Sequence, residues 1–184
     1  GVYSEGNTEK YSTMQMYNVL VTNNMAQQGG GMWFCATGST TVHVNEGAAV
    51  FGNSAQPDLL GSGAGDDFVF TALRGDEQHS STLANRILGG GAAQWYEDGR
   101  VYLPAVGLLP SIDSSAPRYG QEGANPEPVT VENSQKSLAL KAIVSESAQE
   151  LAKSEARLII QGNTATRGGG IGANGGIIIG KPET

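Results

Sequence analysis

The sequence has few cysteines, few charged residues and no long apolar run, and each of these absences excludes a class of protein. It holds a single cysteine, Cys35, among 184 residues, so it cannot form an internal disulfide. Charged residues make up only 16% of the chain, and 18 acidic residues against 11 basic ones give a formal net charge of −7. Because nucleic-acid binding draws on clustered lysine and arginine, we expect no nucleic-acid partner. Apolar runs stay well below the roughly 20 residues that span a bilayer, and the first residues do not resemble a signal peptide.

Glycine, by contrast, is abundant, with 27 residues. A helical bundle is therefore disfavoured, because each glycine inside a helix costs about 1 kcal/mol relative to alanine. The hydrophobic fraction of 39% is enough for a core, and the length suits one domain covering residues 1–184. The chain begins with Gly1 rather than methionine, so we expect it to be a fragment of a longer protein.

A nine-residue pattern occurs twice without gaps. It covers Asn24–Met32 and Asn163–Ile171, and the shared form is Asn-x-Ala-x-x-Gly-Gly-Gly-hydrophobic. Degraded copies begin at Asn53, which lacks the glycines, and at Asn85, which has them one position early. The first two spacings, 29 and 32 residues, are typical of solenoid repeats, and the last spacing of 78 leaves room for an insertion.

The repeats are flanked by short apolar runs rich in β-branched residues, which predict strands at 14–21, 41–44, 49–51, 158–160 and 177–179. The repeats themselves predict corners, because glycine accepts a positive φ and asparagine tolerates the left-handed region. The small alanine of each repeat is expected to point inward. The corner residues of the two full repeats are Asn24, Gly29, Gly30, Gly31, Asn163, Gly168, Gly169 and Gly170.

Two segments depart from this pattern. Residues 104–128 hold five of the seven prolines and predict a loop insertion. Residues 146–156 have helical composition, with Ser147 and Glu150 at capping-box spacing and Leu151 able to pack inward, and predict one short α-helix.

The repeated pattern resembles the passenger repeats of polymorphic outer-membrane proteins and other autotransporters. The run from Gly168 to Gly180 is more similar to the end of β-helix regions in Gram-positive cell-wall-anchored adhesins. The resemblance covers about 20–60 and 129–180. It implies an all-β fold, a right-handed parallel β-helix (a solenoid). It also implies an extracellular location on the bacterial cell surface, anchored to the cell wall, with flanking domains of the same chain as neighbours.

Few residues suggest metal or nucleophile chemistry. His43 and His79 lie 36 residues apart, which is not a metal-ligand spacing. Cys35 follows two aromatic residues and lacks the partners of a catalytic thiol, so we expect a buried, inert side chain. No metal ion and no cofactor are therefore predicted.

Acidic residues are dense in the middle of the chain. They could supply calcium ligands near Asp58–Asp67, but the spacing fits no known calcium loop, and a solvated loop is the favoured interpretation. The group in question is Asp58, Asp66, Asp67, Asp76 and Glu77. A polysaccharide lyase or hydrolase would need convergent carboxylates with a basic residue, for which Asp66, Asp67 and Arg74 are the densest candidates.

Aromatic residues make up 7% of the chain and are clustered. Exposed tryptophan and tyrosine stack on sugars and anchor protein interfaces, so we single out Trp33, Trp95, Tyr96 and Tyr102 as candidate binding residues. The alternative is that the two tryptophans cover the flank of the core.

The predicted function is a non-enzymatic binding or adhesion module of a bacterial cell-surface protein, presenting loops to a host protein or glycan. A polysaccharide-degrading enzyme and a purely structural stalk remain the alternatives. No catalytic residue is predicted.

Overall fold

The computed structural model describes residues 1–5, 12–35, 40–45, 47–56, 63–71, 83–85, 94–102, 109–131, 136–167, 170–174 and 177–180. Within these ranges the chain forms seventeen strands and one helix. In chain order they are β1 (Val2–Glu5), β2 (Ser12–Tyr17), β3 (Val19–Thr22), β4 (Met25–Ala26), β5 (Met32–Cys35), β6 (Thr40–Asn45), β7 (Ala49–Val50), β8 (Ser54–Ala55), β9 (Phe68–Phe70), β10 (Leu83–Asn85), β11 (Gln94–Glu97), β12 (Val101–Tyr102), β13 (Ser111–Ile112), β14 (Leu138–Ile143), α1 (Glu146–Glu155), β15 (Leu158–Gln161), β16 (Ile171–Asn174) and β17 (Ile177–Ile179).

The described strands pair into five separate sheets. The largest has six strands in the order β11-β14-β9-β5-β1-β16, and a four-stranded sheet has the order β10-β6-β2-β17. A three-stranded sheet has the order β15-β3-β7, and the pairs β12-β13 and β4-β8 complete the set. Pairing is parallel except at β14, which runs antiparallel to both of its neighbours, and between β12 and β13.

The apolar side chains fill two layers on either side of the six-stranded sheet. Phe34, Phe68 and Leu140 point into the larger core together with Met14 and Val21, all of them almost fully buried. The opposite face carries a smaller cluster of Trp33, Ala64, Val69, Val101 and Ala139. Since both faces are covered, strands such as Phe68–Phe70 are apolar at every position instead of alternating.

The predicted right-handed parallel β-helix is wrong. The turns of a single coil stack in chain order, whereas here the last strands lie beside the first ones: β16 beside β1, β17 beside β2 and β15 beside β3. The far side of the six-stranded sheet is formed by antiparallel β14 and β11. Among the described strands no sheet closes on itself.

The corners of the two repeats also differ from the prediction. Asn24 does not adopt a positive φ; the left-handed asparagines are Asn23 (φ 54°), which precedes it, and Asn18 (φ 53°), which separates β2 from β3. Gly29 has a positive φ of 58°, and Gly170 has a φ of 131°, whereas Gly31, its counterpart in the first repeat, has no positive φ. The backbone therefore differs at the third glycine of the two runs, and Gly168 and Gly169 lie outside the described residues.

The first repeat needs glycine because other strands approach its backbone closely. A Cβ on Gly31 would lie 2.6 Å from the carbonyl oxygen of Asp67 and 2.7 Å from Nδ2 of Asn53. The repeat alanines point inward as expected in the first two copies, since Ala26 and Ala55 are each 3% exposed.

The structure contains strands in all five apolar runs, although the run 14–21 is split into β2 and β3 at Asn18. The expected helix is present as α1, but its N-cap is Ser145, whose Oγ accepts a hydrogen bond from the backbone N–H of Ala148 at 3.4 Å. The capping box predicted from Ser147 is therefore wrong. Ala152, rather than Leu151, is the buried residue of the helix.

Candidate functional site

Four side chains form a hydrogen-bonded line across neighbouring strands, which we call the amide ladder: Asn163, Asn24, Asn53 and Asp67. Nδ2 of Asn163 donates to Oδ1 of Asn24 at 2.9 Å, and Nδ2 of Asn24 donates to Oδ1 of Asn53 at 2.9 Å. Nδ2 of Asn53 then donates to Oδ1 of Asp67 at 2.9 Å. The backbone N–H of each asparagine donates to the same oxygen at 3.0–3.2 Å. Each link between two members thus runs toward Asp67, while the same Nδ2 groups of Asn24 and Asn53 also donate to the carbonyl oxygens of Ile160 and Val21 on the preceding strand.

An aspartate ends the ladder because the next strand runs the other way. Antiparallel β14 presents the backbone N–H of Ala142, which donates to Oδ2 of Asp67 at 2.9 Å. A carboxylate accepts on both oxygens, whereas an asparagine would bring its own N–H₂ against one of these donors. The change in strand direction therefore accounts for a carboxylate at this position.

Asp67 is fully buried. Burial raises its pKa to about 6 from the usual 3.8, against the opposing hydrogen bonds from Ala142 and Asn53 and the charge of Lys141. The prediction that this aspartate lies in a solvated loop is wrong.

A second group of charges lies beside the ladder, and we call it the charge cluster: Asp66, Asp98, Arg118 and Lys141. Arg118 donates from Nε to Oδ1 of Asp98 at 2.5 Å and from Nη2 to Oδ2 of Asp98 at 2.8 Å. The same Nη2 lies 2.5 Å from Oδ1 of Asp66, and Nζ of Lys141 lies 2.5 Å from Oδ2 of Asp66. Two cations therefore neutralise two carboxylates.

Backbone groups occupy the remaining positions around these carboxylates. The N–H groups of Tyr119 and Asp66 donate to Asp98 at 3.0 and 2.7 Å, and the N–H of Ala55 donates to Asp66 at 2.8 Å. Nη1 of Arg118 donates to the carbonyl of Ala55 at 3.0 Å. Every carboxylate oxygen of the cluster thus has a protein donor.

The ionisation of the cluster follows from these contacts. Burial alone would raise the pKa of Asp98, but the hydrogen bond and charge of Arg118 outweigh it and hold that pKa below its ordinary value. Burial likewise would lower the pKa of Arg118 and Lys141, yet their carboxylate partners raise both above the usual values. All three groups are therefore charged at neutral pH, and none is poised to exchange a proton.

The cluster fastens the proline-rich segment to the sheet. Arg118 comes from that segment, Asp98 follows β11, and Lys141 lies on β14. Nearby, Val101 of β12 joins the smaller apolar layer, and half-buried Ile112 of β13 packs against it. The insertion therefore covers one face of the six-stranded sheet.

The predicted aromatic residues divide between interior and surface. Trp33 is fully buried, with its ring stacked on Tyr3 at 5.0 Å and its Nε1 donating to Oε1 of Gln28 at 3.0 Å. Trp95 is 5% exposed and packs edge-on against Phe68. Neither indole can stack on a ligand in this structure, so the alternative of core residues is the correct one for both.

Two other aromatic candidates reach the surface. Tyr102 is 45% exposed. Tyr96 is half-buried and its ring lies 4.9 Å from that of Tyr119, which the sequence did not single out. We call Tyr96 and Tyr119 the tyrosine pair. Its position is fixed by the charge cluster, because the backbone N–H of Tyr119 donates to Asp98.

A cleft of about 260 Å³ opens next to the insertion. Its polar lining residues are Glu97, Arg100, Asn125 and Ser137, and Gly99 and Pro117 line it as well. Arg100 lies 3.6 Å from Asp113 in an exposed ion pair.

Several predicted residues lie outside the described part of the chain. These are Gly168, Gly169, Asp58, Asp76, Glu77, His79 and Arg74. Cys35 and His43 lie in β5 and β6, but the structure describes only their backbone. Among the described residues, no group of three or more His, Cys, Asp or Glu side chains could hold a metal ion.

The sequence analysis missed Asp98, Arg118 and Lys141 because they are far apart in the chain. One signal was available: Arg118 is the only basic residue in the segment 104–128. Since the chain as a whole is acidic, a single basic residue in a proline-rich segment is a reasonable candidate for a buried ion pair.

No protein-family model, curated protein or solved structure matches this chain. In the residues that the structure describes, no helix combines the length and apolar character needed to cross a membrane.

Proposed function

We propose that this chain is a non-enzymatic binding module of a bacterial cell-surface protein, and that the tyrosine pair and the neighbouring cleft contact a host protein or a glycan. The observation that carries the proposal is the closed charge cluster. The cations and carboxylates of this cluster pair with one another. They therefore serve to position the insertion. The surface location rests on the resemblance of the repeats to those of bacterial adhesins.

The geometry of the insertion suits binding. A surface held in place by buried ion pairs loses little conformational freedom when a ligand docks. Paired tyrosine rings offer flat apolar area with polar edges, which suits sugars and protein surfaces alike. The cleft adds a carboxylate and polar groups nearby, which can set ligand orientation.

An array of glycans and extracellular host proteins tests this proposal. We expect the wild-type chain to bind at least one class of ligand, and we expect the Tyr96→Ala/Tyr119→Ala variant to lose about tenfold or more in affinity, since such anchors carry most of the binding energy. Tyr102→Ala is the matched control, because it removes an exposed tyrosine outside the pair. Equal loss in both variants, or none in either, contradicts the proposed site.

The enzymatic alternative is tested separately. Asp67 is a poor candidate for a catalytic acid because it is fully buried and bonded on both oxygens. Glu97 lines the cleft and is exposed, so Glu97→Gln is the informative variant. The wild-type chain is incubated with a panel of polysaccharides. If it releases oligosaccharides and Glu97→Gln abolishes this release, the protein is an enzyme and the binding proposal is wrong. A folded chain that neither binds nor cleaves would favour the structural stalk.

A further inference from the structure

Three sheets end at the same end of the molecule, in strands contributed by the last part of the chain. β15, β16 and β17 are each the outermost strand of their sheet, and each is parallel to its neighbour. We call these strands the open end. Among the described residues none pairs with their outer edges. A free strand edge presents unpaired N–H and C=O groups and is a template for another strand.

The open end carries none of the features that usually protect an edge. The three strands read LIIQ, IGAN and III, without a charged residue or a proline. Leu158 and Ile159 are 41% and 42% exposed, and Ile178 is 66% exposed. Soluble proteins normally place lysine, proline or a bulge on such edges to prevent pairing.

The opposite end of the six-stranded sheet is covered. The outer side of β11 forms an antiparallel bridge between Trp95 and Val129, and the N–H of Val129 donates to the carbonyl of Trp95 at 2.7 Å. One end of this sheet is therefore closed by the chain itself, while at the other end no described strand pairs with the outer edge of β16.

The amide ladder shows what kind of strand fits the open end. Each link of the ladder runs from a donor to an oxygen of the next member toward Asp67, so its first member, Asn163, has an Oδ1 acceptor that receives no donor from the described residues. In the rest of the ladder this oxygen receives two hydrogen bonds, from a backbone N–H and from an asparagine Nδ2. Two copies meeting open end to open end would bring acceptor against acceptor, which disfavours a symmetric dimer.

We propose that the open end binds an extended polypeptide segment, which adds as a parallel strand outside β15 and places an asparagine amide against Oδ1 of Asn163. The segment carries apolar side chains that cover Leu158 and Ile159. Main-chain hydrogen bonds provide affinity, as in other cases of strand addition, and the asparagine sets the register. This site is separate from the tyrosine pair and does not depend on it.

A synthetic peptide copying residues 158–167 is the probe, titrated calorimetrically into the full chain. We expect saturable binding with one site, together with slower amide hydrogen exchange in residues 158–161. We expect Ile159→Lys to weaken binding about tenfold or more, because a lysine on the edge disfavours strand pairing. Tyr102→Lys, which places the same charge on another half-exposed position, is expected to leave binding unchanged.

A second peptide, with aspartate in place of its asparagine, tests the register. It lacks the Nδ2 donor and sets a carboxylate against Oδ1 of Asn163, so its affinity should fall about tenfold or more. Absence of saturable binding, or equal binding of both peptides, overturns the proposal. If the chain alone dimerises and Ile159→Lys abolishes the dimer, the edge binds a second copy of the chain. This result would also overturn the proposal.

Discussion

At the scale of single residues, the direction of the neighbouring strand decides between asparagine and aspartate in the amide ladder. Asn24 and Asn53 follow the parallel strands β3 and β7, and each side chain donates toward Asp67 and accepts from the side of Asn163. Asp67 meets the N–H of Ala142 on antiparallel β14 and therefore accepts on both sides. Such a choice is invisible in the sequence until the strand order is known.

Asp67→Asn should be destabilising, and the size of the effect should depend on pH. The variant leaves a buried donor facing another donor, which costs about 1–3 kcal/mol. In the wild type the folded-state pKa of about 6 lies above the unfolded value of 3.8. Between these two values the folded state keeps a proton that the unfolded state has released, so wild-type stability falls as the pH rises through this window.

The variant lacks this titration, so its loss of stability relative to wild type should be largest near pH 4 and smaller at pH 7. Urea unfolding of both proteins across this range measures the difference. A difference that stays constant, or one that grows with pH, would show that the pKa of Asp67 is not raised.

At the scale of elements, local patterns in the sequence predicted local structure well. The apolar runs are strands and residues 146–156 contain the helix, because short-range periodicity and composition determine both. The N-cap was misplaced by two residues and the left-handed asparagine of the first corner by one, since several nearby serines and asparagines suit these positions. Trp33 was ambiguous for a related reason: a sheet buried on both faces shows no alternation that would reveal which side chains are exposed.

Arg118 is expected to be the residue that holds the insertion on the sheet. Arg118→Ala leaves Asp98 buried without its cation, and removing one partner of a buried ion pair typically costs about 3–5 kcal/mol. Arg100→Ala is the control, because its pair with Asp113 is exposed at 3.6 Å and contributes about 1 kcal/mol or less.

Chemical unfolding of the two variants compares these costs, and hydrogen exchange locates them. Faster exchange confined to residues 113–125 in Arg118→Ala fits the assigned role. Similar stability of the two arginine variants would mean that the charge cluster does not fasten the insertion.

At the scale of the whole molecule, the order of the strands could not be predicted from the repeats. Matching motifs at Asn24 and Asn163 predict equivalent turns of one coil, separated by the copies at Asn53 and Asn85, whereas in the structure the side chains of Asn24 and Asn163 are directly hydrogen-bonded. The motifs do not say on which side the later segment stacks, because a copy of the motif can pair with any other copy. The charge cluster could not be predicted for the same reason. Its side chains meet only because the insertion packs against β14, which the sequence does not reveal.

The position of the last strands beside the first is the central claim, because it creates the open end and starts the amide ladder. Nuclear Overhauser spectroscopy of the isotope-labelled chain tests it most directly. We expect inter-strand cross-peaks that match residues 158–161 to residues 19–22 in parallel register, from Leu158 with Val19 to Gln161 with Thr22. Cross-peaks from residues 158–161 to β9 or β14 instead would place the final strands at the far side of the sheets and contradict the account.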